Sequence, residues 1–405
     1  MTAELIEIEE ARSLVVGKLS PLPAERVPLR QALGRVLAVE VGAADPVPRF
    51  DNSAMDGFAV RAADTSSASG EARVTLDVVD ESRAGRPAER PVRPGEAILI
   101  STGAMVPEGA DAVVRVEDTS LRDGRVEIRV AVEKGRNVRR AGEDMRSGEI
   151  IVRPGTVLGP AELGVIASVG RDAVQCARRP GVCVITTGDE LREPGEPLGA
   201  GGVHNSNSHS VPALVERAGG EVVSVETVPD EPAATRGAIK RALDSDVVVV
   251  CGGVSVGEHD HVRAALEELG VEEAFWGVAL RPGEPTTFGT HAGGALVFGL
   301  PGNPVSAMVT FLLFARPAIE GMLGLDPGQQ RAKAIFDEHY AKKPGRVHAV
   351  RCRLELADDG WHARTTGHQG SHVLTSMLGA EALALIPTDS ASVSAGERVE
   401  IEPLR

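Results

Sequence analysis

Residues 246–257 have the sequence DVVVVCGGVSVG, an apolar run that stops in a cluster of glycines. The four consecutive valines 247–250 leave no polar face, so they predict a strand covered on both sides, as in a parallel sheet. Gly252, Gly253 and Gly257 allow a sharp turn and bring backbone N–H groups close to a ligand. A helix starting after this turn would add the positive end of its dipole. The N–H groups and the helix dipole together predict a binding site for a phosphate or another anion. The alternative is an ordinary turn between a strand and a helix, because short glycine motifs also occur without a ligand.

The sequence on both sides of this run alternates between strand and helix patterns. Val182 to Ile185, Val222 to Val228 and Ala295 to Phe298 predict strands, and Val211 to Ala218 has apolar residues at helical spacing. This alternation predicts a three-layer α/β domain with a mainly parallel sheet. Ligands of such domains bind beyond the carboxyl ends of the strands.

Polar motifs follow several of the predicted strands, and we expect them to converge on a single rim. Each motif alone would be explained by a turn, and Asp189 in particular would then only cap a helix. Convergence of all four would instead indicate a site. The motifs are TTGDE at 186–190, Pro229-Asp230, CGGVSVG at 251–257 and LPGNPVS at 300–306.

The remaining chain predicts an organisation into several domains. Leu5 to Val15 has the spacing of an amphipathic helix, and a second short helix is predicted at Leu29 to Leu37. Short β-rich runs separated by Gly and Pro turns at 74–132 predict an inserted β-rich domain. After residue 328 an alternating pattern returns, which predicts a C-terminal β-domain of about 75 residues, a reasonable size for a small fold.

Composition narrows the function class. The chain has 405 residues and a formal net charge of -15, which opposes a broad nucleic-acid or anionic-membrane surface. Its four cysteines include no C-x-x-C pair, so neither a disulfide framework nor a zinc site is expected, and a reducing, cytoplasmic compartment is favoured. The acidic N-terminus differs from a signal peptide, and the longest apolar run, Ala307 to Ala315, is too short to span a bilayer.

Candidate acids lie in two loops of the β-rich region. Asp56 precedes a glycine in a non-periodic loop, and Asp144 ends the run NVRRAGED at 137–144. In the first loop the alternative is turn capping, which we favour for Asp51 and Asn52. In the second loop the alternative is a solvated patch of ion pairs between its arginines and acids. His368 and His372 are an unfavourable metal pair, because the glycine between them disrupts helical spacing.

Seven motifs, in order over nearly the whole chain, resemble the MoeA family of molybdopterin molybdenumtransferases, which includes the C-terminal domain of gephyrin. Each motif is modest alone, but their order makes the resemblance specific. The motifs are DNSAMDGFAVR, STGAMVPEGADAVV, NVRRAGEDM, TTGDEL, GGVSVG, FGLPGNPVSA and TTGHQGSH.

The resemblance implies an elongated homodimer with a cleft between the α/β domain of one protomer and the inserted domain of its partner. Asp56 and Thr102 would then act in trans. The implied parts are an N-terminal helix at 1–27 packing on the α/β domain, a linker domain at 28–46 and 147–177, an inserted β-rich domain at 47–146, an α/β molybdopterin- and nucleotide-binding domain at 178–327, and a C-terminal β-barrel at 328–405.

The family's reaction implies substrates and a metal cofactor. Adenylylated molybdopterin, supplied by a molybdopterin adenylyltransferase, and molybdate react with Mg²⁺ present, releasing AMP. The implied catalytic residues are Asp56, Thr102, Asp144, Glu190, Asp230 and Asp260. The last three would hold Mg²⁺, since hard cations prefer oxygen ligands. The implied substrate-binding residues are Gly252, Gly253, Ser255, Gly257, Arg281, Pro301, Gly302, Asn303, Pro304, Arg351 and Ser371, with Arg351 and Ser371 in the molybdate pocket.

One position departs from the family pattern. The family's basic loop contains the sequence PGKP, whereas this chain has Arg281-Pro282-Gly283-Glu284-Pro285. Arg281 keeps a cation, but Glu284 reverses the charge where a lysine is expected to meet an anion. Either another cation compensates, or the protein is a divergent or non-catalytic molybdopterin carrier or scaffold. A different nucleotide-dependent phosphotransferase is a third possibility, although the chain lacks a P-loop sequence.

Overall fold

The computed structural model describes residues 5–254, 261–327 and 331–404. The predicted site residues Ser255, Gly257 and Asp260 lie outside these ranges. The chain forms two compact units. The first comprises Met1–Glu25, Gly34–Ala38 and Gln175–Arg405, and the second comprises Arg26–Leu33 and Val39–Val174.

The second unit is built around a six-stranded sheet with the order β7-β4-β6-β5-β9-β8. Phe58 and Val114 are fully buried and pack in its core. Up to Ala177 the elements are α1 (Ile8–Val16), β1 (Ala24–Pro28), β2 (Val41–Gly42), β3 (Asn52–Ser53), β4 (Gly57–Val60), β5 (Val74–Ser82), β6 (Glu96–Ile100), β7 (Ala112–Arg115), β8 (Thr119–Arg122), β9 (Arg125–Ile128), β10 (Val138–Arg139), β11 (Ile150–Val152), α2 (Pro160–Ser168) and β12 (Ala173–Ala177).

The first unit contains a six-stranded α/β sheet with helices on both faces. The elements from Gly181 to Met322 are β13 (Gly181–Thr187), β14 (Leu191–Arg192), β15 (Val203–His204), α3 (Asn207–Arg217), β16 (Glu221–Val228), α4 (Pro232–Ala242), β17 (Val247–Cys251), α5 (His261–Glu268), β18 (Val271–Trp276), β19 (Leu280–Arg281), β20 (Thr287–His291), β21 (Leu296–Leu300), α6 (Pro304–Thr310) and α7 (Arg316–Met322).

The sheet has the order β16-β13-β17-β21-β20-β18, and its first four strands run parallel. β20 and β18 are antiparallel to their neighbours, so the mainly parallel sheet ends in an antiparallel pair that the sequence did not reveal.

The prediction for β17 is confirmed by its burial. Every residue of Val247–Cys251 is buried. Val247 and Val249 pack into the hydrophobic core on one face of the sheet. Val248 and Val250 pack into a separate core on the other face. Because successive side chains of a strand point to opposite faces, an unbroken valine run fits only a strand covered by two layers.

A five-stranded barrel follows the α/β sheet, as predicted. Its strands pair in the closed order β24-β25-β22-β28-β26 and back to β24, and β19 adds to β24 in parallel. Closure removes unpaired strand edges. The elements are β22 (Ala332–Phe336), β23 (Tyr340–Ala341), β24 (Val347–Ala357), β25 (Gly360–Thr365), β26 (Ala382–Ile386), β27 (Ser392–Val393) and β28 (Arg398–Pro403).

A buried ion network joins the first helix, the last helix and the last strand of the first unit. Glu402 is 4% exposed, and its Oε1 accepts a hydrogen bond of 2.7 Å from Arg316 Nη2. Its Oε2 pairs with Arg12 on α1. Arg316 also donates to Pro403 O at 2.9 Å. Removal of one partner would leave a buried charge uncompensated, so these elements depend on each other.

The apolar run at 307–315 belongs to a longer helical stretch. Pro304–Met322 spans 19 residues with a mean hydropathy of 1.3, so by length and composition it is long enough to cross a membrane, contrary to what the shorter run suggested. However, 89% of its most apolar 18-residue window is buried inside the protein, so this stretch packs as a core helix. It includes one π-helical segment, Phe311–Ala315, whose residues are all buried.

The helix predicted at Leu29 to Leu37 is wrong. Only Leu29–Gln31 is helical, as a single 3-10 turn. Gly34 has φ +73, a conformation that breaks a right-handed helix, and the chain then returns to irregular structure. The four cysteines are free and buried, in agreement with the sequence prediction. Burial raises the pKa of Cys251 to about 12, so this thiol is protonated and unreactive at neutral pH.

Candidate functional site

The predicted polar motifs meet at the carboxyl ends of the parallel strands. Gly188 donates its N–H to Val228 O at 3.2 Å, which joins the loops after β13 and β16. Asp230 N–H donates to Asp189 Oδ1 at 3.1 Å in the same loops. Gly252 N–H donates to Leu300 O at 3.0 Å, which joins the loops after β17 and β21. Asp189 therefore fixes a neighbouring loop rather than capping a helix, and the motifs share one rim.

Gly252 and Gly253 are required by the geometry of this rim. Their φ angles are +98 and +62, in the region that favours glycine. A Cβ on Gly252 would lie 2.8 Å from Thr187 O, and a Cβ on Gly253 would lie 2.7 Å from Val262 Cγ2. The backbone after β17 is thus packed directly against β13 and α5, and only glycine fits there.

The loop LPGNP packs beside this turn. A Cβ on Gly302 would lie 3.5 Å from Gly252 Cα, so the two glycine backbones nearly touch. Asn303 is the N-cap residue of α6, and Pro304 occupies the first helical turn. Proline is favoured there because its missing N–H is not needed. Pro301 precedes this turn and is buried. The loop therefore forms a rigid wall next to the predicted cradle.

Two buried polar side chains at the rim lack a hydrogen-bond partner for one atom each among the described residues, and one of them, Asn207, lies outside the predicted motifs. Asn207 and Thr187 are each 7% exposed. Asn207 Nδ2 donates to Gly302 O at 2.8 Å, but Asn207 Oδ1 has no hydrogen-bond partner among the described residues, nor has Thr187 Oγ1. Buried polar atoms are usually satisfied, so these two suit contacts to a ligand. The run NSNS at 205–208, which overlaps the start of α3, was the available sequence signal for Asn207.

Glu190 and Asp230 follow adjacent parallel strands on this rim. Glu190 is exposed, Asp230 is half-buried, and the Asp189–Asp230 hydrogen bond holds their loops together. Among the described residues there is no group of three or more His, Cys, Asp or Glu side chains able to hold a metal ion. Two carboxylates alone nevertheless fit Mg²⁺, which is commonly bound by one or two carboxylates together with substrate phosphates. Asp260, the third predicted ligand, lies outside the described ranges.

In the second unit, Asp56 and Thr102 lie in contact. Asp56 Oδ1 accepts hydrogen bonds from Thr102 N at 2.7 Å and from Thr102 Oγ1 at 3.1 Å. Asp56 is exposed, as is Asp144 on a neighbouring turn that is anchored by Asp144 N–H donating to Val47 O at 3.0 Å. Asp51 accepts from Ala141 N at 2.9 Å, and this hydrogen bond lowers its pKa, as a turn-capping carboxylate would require.

A basic cavity of about 540 Å³ lies in the first unit, beside the barrel. Four of its described lining residues are Arg or Lys, and no Asp or Glu is among the described lining residues. A lining with four positive side chains and no acidic one creates a local potential that attracts anions. The lining residues are Arg281, Tyr340, Ala341, Lys342, Lys343, His348, Ala349, Arg351, His368, Gln369 and Gly370. Ser371 directly follows this lining and is half-buried.

Arg351 is the deepest charge of this cavity, with only 1% of its surface exposed. Its guanidinium donates to Ser376 Oγ at 3.2 Å, to Ala349 O at 3.3 Å and to Gly370 O at 3.4 Å. All three acceptors are neutral. Burial lowers the pKa of Arg351 to about 10, which leaves it charged at neutral pH. A buried cation with neutral partners is unfavourable unless an anion neutralises it, so the cavity suits an oxyanion.

Tyr340 and His348 are uncharged members of the same cavity, and the sequence analysis did not identify them. Tyr340 Oη lies 3.0 Å from His348 Nδ1, and His348 is 7% exposed. Burial, followed by the nearby charges of Lys342, Arg281 and Arg346, lowers the pKa of His348 to about 4. Burial also raises the pKa of Tyr340. Both side chains are therefore neutral at pH 7. The only feature of the sequence that could have drawn attention to this pair is that Tyr340 is the single tyrosine of the chain.

The charge reversal at Glu284 is compensated by a partner from the barrel. Arg346 Nη2 lies 2.5 Å from Glu284 Oε2. Both side chains are partly exposed, so the pair contributes little stability, but it neutralises the carboxylate. Arg281 lies opposite His348 in the pairing of β19 with β24. This pairing brings Arg281, the cation that the loop Arg281–Pro285 keeps, to the cavity. Glu284 itself is not among the lining residues of this cavity.

Three family profiles match consecutive parts of the chain. Residues 6–170 match the "MoeA N-terminal region (domain I and II)". Residues 183–321 match the "Probable molybdopterin binding domain". Residues 333–404 match the "MoeA C-terminal region (domain IV)". The matches therefore include the rim, the Asp56 loop and the basic cavity.

Relatives similar over the full length agree with these profiles. The molybdopterin molybdenumtransferase of Haemophilus influenzae is 36% identical and covers 98% of this chain and 98% of its own length. Molybdopterin molybdenumtransferase 2 of Mycobacterium tuberculosis is 37% identical, covering 97% of this chain and 98% of its own. Two crystal structures of the MoeA protein from Pyrococcus horikoshii align with TM-scores of 0.86 and 0.84 at 32% and 31% identity, each covering 99% of this chain and 100% of theirs. The chain therefore belongs to the MoeA family of molybdopterin molybdenumtransferases.

Proposed function

We propose that this protein is a molybdopterin molybdenumtransferase of molybdenum cofactor biosynthesis. In the proposed reaction, adenylylated molybdopterin and molybdate are substrates, AMP is released, and molybdenum remains bound to the dithiolene of the pterin. The observation that carries the proposal is the basic cavity around Arg351, a buried cation whose described partners are all neutral. Molybdate is a dianion, and an uncompensated buried guanidinium favours its binding.

The phosphate end of the nucleotide is assigned to the rim. Gly252 and Gly253 expose backbone in a tight turn at the carboxyl end of β17, where N–H groups can meet phosphate oxygens. Gly302 and its flanking prolines would form the adjoining wall. The unpartnered Asn207 Oδ1 and Thr187 Oγ1 supply further polar contacts. Ser255 and Gly257 carry over from the family pattern as additional contacts.

Glu190 and Asp230, with Asp260, are proposed to hold Mg²⁺. The cation, when bound, neutralises charge on the phosphoanhydride and stabilises the leaving phosphate. Glu190, Asp230 and Asp260 would hold this cation, while the backbone N–H groups of the glycine turn would orient the phosphate oxygens. The hydrogen bond between Asp189 and Asp230 supports this arrangement, because it fixes the spacing of the two loops that carry the ligands.

We extend the proposal to a cytoplasmic homodimer. In this assembly Asp56, Thr102 and Asp144 of one protomer would complete the cleft of its partner and position substrate there. The Asp56–Thr102 hydrogen bonds support a shared role, because they orient an exposed carboxylate. A molybdopterin adenylyltransferase would supply the adenylylated substrate.

The test is AMP release by the purified protein. Incubation with adenylylated molybdopterin, molybdate and Mg²⁺ should release AMP and form active cofactor. The same assay with EDTA should lose this release if Mg²⁺ is required. AMP at the level of an enzyme-free blank, with pterin bound tightly, would instead identify a non-catalytic carrier. The neutralisation of Glu284 by Arg346 argues for the enzyme, since it removes the charge conflict that motivated the carrier.

A further inference from the structure

The loop between β23 and β24 supplies two cations on the same side of the barrel. Arg346 at its end pairs with Glu284. Lys342 at its beginning lines the basic cavity together with Arg281 and Arg351. One short loop therefore neutralises the reversed charge and brings a positive charge to the cavity.

Lys342 is held in place by neutral groups. Its Nζ donates to Arg346 O at 2.8 Å and to Thr388 O at 3.3 Å, and its backbone N–H donates to Ala391 O at 2.8 Å. Carbonyl acceptors orient the ammonium group without cancelling its charge, and Asp389, which does not line the cavity, is the acidic group that acts on it. An ammonium has three donors, and two of them are used by these carbonyls. A third donor is therefore free to meet a ligand.

Unlike Lys342, Glu284 has its side-chain charge neutralised by an oppositely charged partner. Its backbone carbonyl accepts from Val278 N at 2.9 Å and from Thr286 N at 2.8 Å, which fixes the loop after β19. Its carboxylate is occupied by Arg346. The position that carries a lysine in the resembling family sequence therefore contributes no positive charge here. The total positive charge of the cavity depends on the barrel loop instead.

We propose that Lys342 is an oxyanion-binding residue of this protein, taking the role of the cation that position 284 lacks, while Arg346 neutralises Glu284. The ligand is a tetrahedral oxyanion such as molybdate or tungstate. Arg351 contacts it from the interior of the cavity and Lys342 from the loop side. This inference rests on the proposed function, because it assigns the oxyanion of that reaction to the cavity.

The test is calorimetric titration of the full chain with sodium molybdate and sodium tungstate. Lys342→Gln keeps a hydrogen-bond donor for the two carbonyls but removes the charge, and it should weaken oxyanion binding by about 10- to 100-fold. Lys342→Arg should retain most of the affinity. Lys333→Gln is the matched control, because Lys333 is an exposed lysine of β22 outside the cavity lining, and it should bind as the wild type does.

A second variant separates charge from loop structure. Glu284→Lys in the Lys342→Gln background should recover affinity, because it returns a cation to the loop after β19. Thermal melting of each variant shows whether the fold is kept. Equal affinity of Lys342→Gln and the wild type, or no oxyanion binding by the wild type, would overturn the inference. AMP release is measured in parallel. If the wild type and Lys342→Gln release AMP equally well at limiting molybdate, the role of Lys342 is rejected and the proposed function stands. If the wild type releases no AMP, the proposed function is rejected.

Discussion

The glycine rim of the α/β sheet and the basic cavity of the barrel are the two proposed anion sites, and they differ in the groups that they offer an anion. The rim uses backbone geometry, since Gly252 and Gly253 leave no room for a Cβ and present peptide groups. The cavity uses side-chain charge, with Arg351 buried among neutral acceptors. Backbone cradles suit extended phosphates that can be met by several N–H groups, whereas fixed side-chain charges suit a compact dianion. Mutations in the rim and in the cavity should therefore impair the two halves of the proposed reaction in different ways.

The largest expected effect is in the cavity. Arg351→Met should weaken molybdate or tungstate binding by at least about 30-fold, because loss of one partner of a buried charge pair costs about 2–5 kcal/mol. The free energy of unfolding should change less than the binding free energy, because relief of an unfavourable buried charge offsets the loss of the hydrogen bonds that Arg351 donates. Titration calorimetry and urea denaturation measure the two quantities.

Arg353→Met is the control for this experiment, because Arg353 is exposed on the same strand, β24. It should leave oxyanion binding unchanged. Unaltered binding in Arg351→Met would remove the distinction between the two anion sites, since the cavity would then not depend on its buried charge.

His348 makes the cavity sensitive to acid. Its pKa is lowered to about 4 by burial, whereas an unfolded histidine titrates near 6.5, so protonation favours the unfolded chain. Stability should therefore fall as pH decreases from about 6.5 to 4, by about 3 kcal/mol at pH 4 from this group. Comparison of urea denaturation of wild type and His348→Gln across this range isolates the contribution. Parallel pH curves for the two proteins would contradict the prediction.

Gly252→Ala tests the rim. The variant has both a positive φ and a Cβ that would lie 2.8 Å from Thr187 O, so it should lose about 1–3 kcal/mol of stability and bind AMP more weakly. Gly294→Ala is a matched control, because Gly294 has the same φ of +98 but no atom within 4 Å of the added Cβ. The two variants share the strain of a positive φ. The difference in their free energies of unfolding, from urea denaturation, therefore measures the cost of the contact between the added Cβ and Thr187 O. Equal losses would show that the rim needs glycine only for its dihedral angle.

The smallest effect is expected for Thr187→Val. Thr187 Oγ1 is buried without a described partner, so its removal should leave stability unchanged or raise it by up to about 1 kcal/mol. Thr310→Val is the comparison, because Thr310 Oγ1 donates to Ser306 O at 2.8 Å and its loss should be destabilising by about 1 kcal/mol. AMP affinity should fall only in Thr187→Val. An unchanged affinity would exclude Thr187 from the rim's ligand contacts.

The sequence predicted the rim better than the cavity for a physical reason. A run such as Val247–Cys251 followed by glycines is local, and its burial on two faces follows from side-chain alternation. The cavity instead combines Arg281, Tyr340, Lys342, His348 and Arg351, which meet only through strand pairing between β19 and β24 and through barrel closure. Of these, the family resemblance supplied only Arg281 and Arg351.

Local signals also misled in places. The apolar spacing at Leu29 to Leu37 predicted a helix, but Gly34 takes a positive φ and only one 3-10 turn forms. The antiparallel pair β18 and β20 was missed, because their sequences VEEAFW and TFGTH lack the apolar runs that predicted the parallel strands. Asn207 was not singled out, because the run NSNS does not specify the tertiary packing that buries its Oδ1 without a partner among the described residues.

The buried contacts of Glu402 have a consequence for the order in which the chain matures. Arg12 and Arg316 emerge from the ribosome long before Glu402, which is close to the C-terminus of the chain. During synthesis both guanidinium groups lack this carboxylate, so the ion network that joins the first helix to the barrel is complete only after β28 has been made. Proteolytic removal of that strand would consequently loosen the opposite end of the polypeptide.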